Sequence, residues 1–413
     1  LLRRMSFVLT GLPPSVELHD ELIARWKLDP DAATEWLADA LLASPHFGEH
    51  FARHWMDAVR YTDTYGYEWD NPAKGSWEYR DYLIRAFNND VGYDTLVREQ
   101  LAGDLLPTQR INDVDQLNES RIGPMFYHLG EHRHGSSLAF NGIHQEMVNN
   151  KIDAFSRVFL ATSVACARCH NHKLEAISQK DYYSLGAVFI TPRWSSRPID
   201  SEARYSDGLK QLSDGRAKIR QHLAAKWKSI QISPSQWLPL VNSLPQPPAM
   251  EDPRWPLWMA AKQQAAAPDR WKQMLVQIRA EVASRAEANR SFTTLTDFSS
   301  DGLPASWVME GVGFESGRVT DGTPLIRLEG DTAVARFLPQ GLHSGALSSK
   351  LPGVLRMPPQ QDVPGKFVSV LLAGDGYSGT LVLDENTFQN ETVAFLKQPE
   401  PAWRSYADAN LIN

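Results

Sequence analysis

The chain holds two cysteines, and both fall in one five-residue string, Cys166-Ala167-Arg168-Cys169-His170. Two thiols three positions apart, followed at once by an imidazole, form the pattern for covalent attachment of a c-type haem. The cysteines would form thioethers to the porphyrin, and His170 would ligate the iron on the proximal side. Two other chemistries fit the same residues. Cys-x-x-Cys is a zinc half-site, which His172 and a distant ligand would complete. It is also the spacing of a redox dithiol or disulfide, although no βαβ pattern precedes it here. Ile152, Phe155, Phe159, Thr162, Cys166 and Cys169 recur at helical spacing. That periodicity predicts one amphipathic helix from about Gln145 to His170, with both sulfurs continuing its apolar stripe.

A haem held by His170 leaves a sixth iron position to fill. His132 and His134, in the histidine-rich segment before the predicted helix, are the candidate distal ligands. His46, His50 and His54 are spaced i, i+4, i+8 on one helical face, and His54 is a candidate catalytic residue. Carboxylates gather among aromatics between Tyr61 and Asp70, where Asp63 and Glu68 are candidate general bases. Such a loop also suits a sugar, since rings stack on its faces and carboxylates bond its hydroxyls. The plain alternative for each is a solvated side chain or a polar surface loop. Arg80 and Arg85 have two readings as well: partners of haem propionates, or ion pairs with Asp81 and Glu78.

The elements that must position these groups change character along the chain. Its 413 residues suggest two or three domains. Residues 1–200 read as a helical domain. Ser44-Pro45 opens one helix, and further helices run from Trp77 to Asn88 and from Tyr93 to Leu101. Residues 201–292 read as a helical hairpin arm with a Pro/Trp-rich connector between Leu244 and Trp258. From 293 to 405, short alternating runs between Gly, Pro and Asp turns predict an antiparallel β-sandwich. Residues 406–413 read as the start of a further segment. The expected class is therefore multidomain α+β. Gly374-Asp375-Gly376-Tyr377-Ser378-Gly379 matches the dinucleotide fingerprint, but a strand-like run follows it where a helix is needed, so a hairpin turn is expected.

A net charge of −7 gives no reason to expect nucleic acid or an anionic membrane as partner. No apolar run approaches the length of a membrane span. The start at Leu1-Leu2-Arg3-Arg4 reads as if cut from a longer polypeptide, so the absence of a signal peptide is uninformative. Covalent haem attachment instead argues for the periplasm or the exterior.

Longer strings carry a resemblance. Leu9-Thr10-Gly11-Leu12-Pro13-Pro14, Arg53-His54-Trp55-Met56-Asp57, Tyr79-Arg80-Asp81-Tyr82 and Ile84-Arg85-Ala86-Phe87-Asn88 are its first parts. Glu99-Gln100-Leu101-Ala102-Gly103-Asp104, the cysteine string through Lys173, and Gln179-Lys180-Asp181-Tyr182-Tyr183 complete it. Over residues 1–195 this resembles the planctomycete cytochrome c-associated family, a domain of unknown function. The resemblance implies an exported, cytochrome c-like haem protein, a small cytochrome c domain upstream, a second domain of unknown function downstream, and an association with polysaccharide breakdown. Phe298 through Trp307, Phe314, and Leu355-Arg356 with Pro358 resemble the sandwich inserted in some members; that resemblance implies a jelly-roll or lectin-like, carbohydrate-binding module at 293–405. One departure stands out: Leu174-Glu175-Ala176-Ile177 replaces the family's Phe/Tyr-Asp-Pro-Ile, so its tight turn lacks the proline.

Overall fold

The computed structural model describes residues 1–64, 70, 72–130, 142–190, 197–231, 239, 243, 255, 258, 268–299, 302–304, 307–315, 317–320, 322–327, 329–357, 367–374, 379–383 and 391–407. The chain is mixed α+β, dominated by helices, with small antiparallel sheets. It divides into two compact units. The first comprises Leu1–Ser195, Ile199–Ser201 and Pro359–Asn413; the second comprises Ser196–Pro198 and Glu202–Pro358.

In the first unit, local sequence signals start and stop the helices. Helix α1 (Leu2–Thr10) ends at Gly11, whose φ of 67° is a left-handed conformation. Helix α2 (Val16–Trp26) is capped by the Ser15 side chain, which accepts from the Leu18 N–H. Helices α3 (Pro30–Leu42) and α4 (Pro45–Ala58) open on Asp29 and Ser44, each followed by proline at the first helical position. Leu22, Ala33, Leu37 and Leu41 form a small core between α2 and α3, joined by Leu2, Met5 and Leu9 of α1.

The larger core is built from α4, α5 (Ser76–Asn88), α6 (Tyr93–Ala102), α7 (Glu119–Ile122), α8 (Ile143–Leu160) and α9 (Gln179–Ile190); the short strands β1 (Ile111–Asn112) and β2 (Leu117–Asn118) pair just before α7. Tyr79, Tyr82, Leu83, Ile122, Phe126, Ile152 and Phe189 are fully buried in it.

The strings that carry the family resemblance supply the polar skeleton of this core. The Glu99 carboxylate, 0% exposed, accepts from Arg110 Nε (2.9 Å) and Nη2 (2.8 Å), from the Tyr82 hydroxyl (2.8 Å) and from Ser120 Oγ (2.9 Å). Gln100 Oε1 accepts from Trp55 Nε1 at 3.2 Å and from the Tyr79 hydroxyl. Arg85 makes a bidentate pair with buried Glu119 at 2.6 and 3.0 Å. Asn88 ties α5 to the start of α4, accepting from the Gly48 N–H and donating to the Pro45 carbonyl. Gly103 is required by close approach, since a Cβ there would sit 1.9 Å from the Ser120 carbonyl oxygen.

In the second unit, α10 (Glu202–Ser229) packs near the strands. Arg216 is buried and donates to the Ala346 carbonyl, and the Trp227 and Phe337 rings lie 5.6 Å apart. Helix α11 (Pro268–Ala288) is the second helix of the expected arm; nearly all of the connector from 244 to 258 lies outside the described residues.

The strands are β3 (Val308–Glu310), β4 (Arg318–Val319), β5 (Thr323–Ile326), β6 (Val334–Leu338), β7 (Gly341–Leu342) and β8 (Val354–Arg356), with the four-residue helix α12 (Val312–Glu315) after β3. They pair antiparallel as β3–β8, β4–β7 and β5–β6. Glu310 receives Arg197 at 2.6 Å and Arg356 at 2.8 Å. Among the described residues these ladders are each two-stranded.

The strands β9 (Phe367–Gly374), β10 (Gly379–Leu383), β11 (Glu391–Phe395) and β12 (Gln398–Ala407) belong to the first unit. A strand does follow the glycine string, as expected. Among the described residues, β9 pairs with β12 and β10 with β11; the expected turn itself falls at 375–378. Residues 375–378 lie outside the described residues.

Candidate functional site

The single long helix expected through His170 is interrupted. Helix α8 stops at Leu160 because Ala161 turns left-handed at φ 50°, with its N–H and that of Thr162 both directed to the Ser156 carbonyl. The Ser156 hydroxyl then accepts from the Val164 N–H at 3.3 Å and starts a 3₁₀ turn over Val164–Arg168. A 3₁₀ turn repeats every three residues. Val164 and Ala167 therefore share the buried side, while Cys166 and Cys169 share the exposed side and are free thiols. The sulfurs do not continue the apolar stripe of α8, since the change of period turns them outward.

His170, also exposed, has Nδ1 2.7 Å from the Asn171 carbonyl oxygen. A carbonyl only accepts, so this contact assigns the ring proton to Nδ1 and leaves the Nε2 lone pair available as a ligand. A backbone carbonyl on the far nitrogen is the usual orienting contact of a metal-binding histidine. His172 has a different task. Its Nδ1 accepts from the Leu174 and Glu175 N–H groups at 3.2 and 2.9 Å, and Nε2 lies 3.5 Å from Ser163 Oγ. Binding zinc through Nδ1 would break both amide bonds. The following turn closes without proline, through His172 N–H to Ile177 O and Ile177 N–H to Glu175 O, each at 2.8 Å.

The site is braced by α9. Ser178 and Asp181 cap this helix reciprocally: Ser178 N–H and Oγ donate to the Asp181 carboxylate, and Asp181 N–H donates to Ser178 Oγ. These bonds hold the Asp181 carboxyl below its usual range. Gln179 bonds Asn171 Oδ1 through its N–H and the Arg168 carbonyl through Nε2, and the Tyr183 hydroxyl donates to the same carbonyl. Arg168 pairs with Glu146 of α8 at 2.7 Å, which holds that carboxyl below its ordinary value. Of these supports, only the Ser-x-x-Asp cap was readable in the sequence.

The remaining candidates do not gather here. His54 lies on the exposed side of α4 with its ring 5.0 Å from that of His50. Asp63 is exposed and accepts from the Tyr61 hydroxyl at 2.7 Å, while its carbonyl accepts from the Ala73 N–H. Glu68, His132 and His134 lie outside the described residues. Arg80 pairs with Asp81, whereas Arg85 goes to Glu119 and not to Glu78. Among the described residues, no three His, Cys, Asp or Glu side chains converge on a point that would hold a metal ion.

Sequence reasoning missed a cationic group around the end of α4. Lys151 is 6% exposed and is held down to about 8 by burial and the nearby Arg60 charge. Arg60, at a left-handed φ of 64°, donates to Asn150 Oδ1 and is itself pulled down to about 10 by burial.

The mainly helical N-terminal segment of the first unit thus presents a Cys-x-x-Cys-His turn on its surface. Residues 1–193 match the model of the family described as PSCyt2, protein of unknown function (DUF1549). No curated protein and no solved structure matches the chain. No helix among the described residues is long and apolar enough to cross a membrane.

Proposed function

We propose that the chain is an exported protein carrying one c-type haem, attached through Cys166 and Cys169 and ligated by His170, that acts in oxidation or electron transfer linked to polysaccharide breakdown. The observation that carries the reading is the state of the three motif side chains. Both thiols are exposed on one side of a short turn, and His170 has the tautomer that leaves Nε2 as a ligand. Haem, when bound, would supply one-electron redox chemistry. The chain's own contribution is to fix the attachment turn: Ser156 sets its start, and Gln179 and Tyr183 pin the carbonyl of Arg168, which lies between the two cysteines. On this reading His132 or His134 is the distal ligand, and His54, Asp63 and Glu68 handle protons of a sugar substrate. The segment 293–405 would be a sugar-binding sandwich, and a small cytochrome c domain upstream the electron acceptor.

The test is a pyridine haemochrome spectrum on protein produced with a cytochrome c maturation system. A covalent haem, lost in Cys166→Ala and Cys169→Ala, is the expected result. Stoichiometric zinc without covalent haem, with unfolding on chelation, would instead establish a zinc-stabilised, non-redox scaffold. Glycan arrays on the full chain test the sugar reading.

A further inference from the structure

The aromatic side chains of α4 and α5 do more than fill the core. Phe51, Trp55, Phe87, Asp90 and Tyr93 help line a cleft of about 270 Å³, just below the usual range for a ligand pocket. Its rings are inclined to one another: 51° between Phe51 and Phe87, 66° between Trp55 and Phe87, and 67° between Trp55 and Tyr93. Walls set at such angles enclose a compact group, whereas a flat pyranose calls for a coplanar platform.

The polar ends of the two amphipathic rings are already committed. Trp55 Nε1 donates to Gln100, and the Tyr93 hydroxyl donates to the Phe159 carbonyl at 3.0 Å. Both therefore offer the cleft their faces and edges rather than hydrogen bonds. The one charged residue among the lining is Asp90.

The placement of Asp90 is built into the backbone. It occupies the left-handed position after α5, at φ 49°, where glycine is the ordinary choice. The Asp90 N–H reaches the Phe87 carbonyl and the Val91 N–H reaches the Ala86 carbonyl, the paired bonds that close a helix end of this kind. An L-residue there is strained, and the residue present is a carboxylate at the edge of the aromatic cleft.

We propose that this cleft binds an organic cation, specifically a quaternary ammonium group. Aromatic faces attract a cation through their quadrupole, and one carboxylate balances its charge. The site is separate from the cysteine turn and does not depend on haem.

The experiment is calorimetric titration of the full chain with choline, with its uncharged carbon analogue 3,3-dimethylbutan-1-ol, and with methyl glucoside. Choline is expected to bind at about 1 mM. Asp90→Asn keeps a side chain tolerant of left-handed backbone, so the helix end survives, and it should weaken choline about fivefold. Phe51→Leu should weaken it by a similar factor while an unchanged melting curve reports the fold. The proposal is overturned if choline gives no saturable heat, if the uncharged analogue or the glucoside binds as tightly, or if Asp90→Asn leaves the affinity unchanged.

Discussion

Replacing Glu99 by alanine tests whether the family strings are structural. The carboxylate is fully buried and accepts four hydrogen bonds, two of them from one guanidinium. Burial works against the Arg110 charge, but its bonds to Glu99 and that carboxylate's field outweigh it and lift the guanidinium above its ordinary value. Glu99→Ala leaves Arg110 without its carboxylate and strips the Tyr82 hydroxyl of its acceptor. Ser120 Oγ keeps one partner, the Arg110 N–H at 2.8 Å. Breaking a buried pair in this way costs about 4 kcal/mol, or about 10 °C in the melting midpoint of a domain this size. Arg110→Ala should cost a similar amount, and the double variant should recover about 2 kcal/mol of the summed loss, because no unpaired charge remains. Urea denaturation of all four proteins, followed by far-UV circular dichroism, supplies the cycle. A single-variant loss below about 1 kcal/mol, the size of a surface pair, would refute the reasoning.

Glycine substitutions should go in opposite directions at two positions. Gly103→Ala drives a Cβ against the Ser120 carbonyl and should cost about 3 kcal/mol, whereas Gly208→Ala, in open space within α10, should stabilise that helix by about 1 kcal/mol; thermal melts compare them. Burial, aided by the Lys151 charge, holds His128 down to about 4. Above about pH 6.5 both folded and unfolded states are neutral there; as pH falls toward 4 the unfolded chain takes the proton first, so stability is lost, by at most about 3 kcal/mol. His128→Gln should flatten that limb, and equal losses in both proteins between pH 7 and pH 4 would count against the assignment. Ser178→Ala removes half of a reciprocal cap and should cost about 1 kcal/mol while raising backbone exchange across 168–181.

Much of the first unit was legible because its signals are local. Ser44 with Pro45 and the apolar spacing of α4 and α5 each act within a turn or two of chain, so they mark helix ends and buried faces without knowledge of the rest. The Cys-x-x-Cys-His string is likewise local, and its two thiols do share a side. The burial of those thiols was misjudged. Spacings of three and four cannot distinguish a continuing α-helix from one that breaks and resumes as a 3₁₀ turn. The break is made by Ala161 turning left-handed and by Ser156 reaching Val164, a choice that depends on how Val164 and Ala167 seat in the core.

The pairing of β9 with β12 was out of reach of local signals, because β12 begins 24 residues after β9 ends, beyond the paired strands β10 and β11. The roles of Glu99, Gln100 and Arg85 were hidden for the same reason. A charged residue in a string looks like a site until its partner is known, and Arg110, Tyr79 and Glu119 are brought to them only by the fold. Sequence determines what can be capped, turned or attached locally; long-range packing alone decides which polar groups are withdrawn from water and which remain outside to do chemistry.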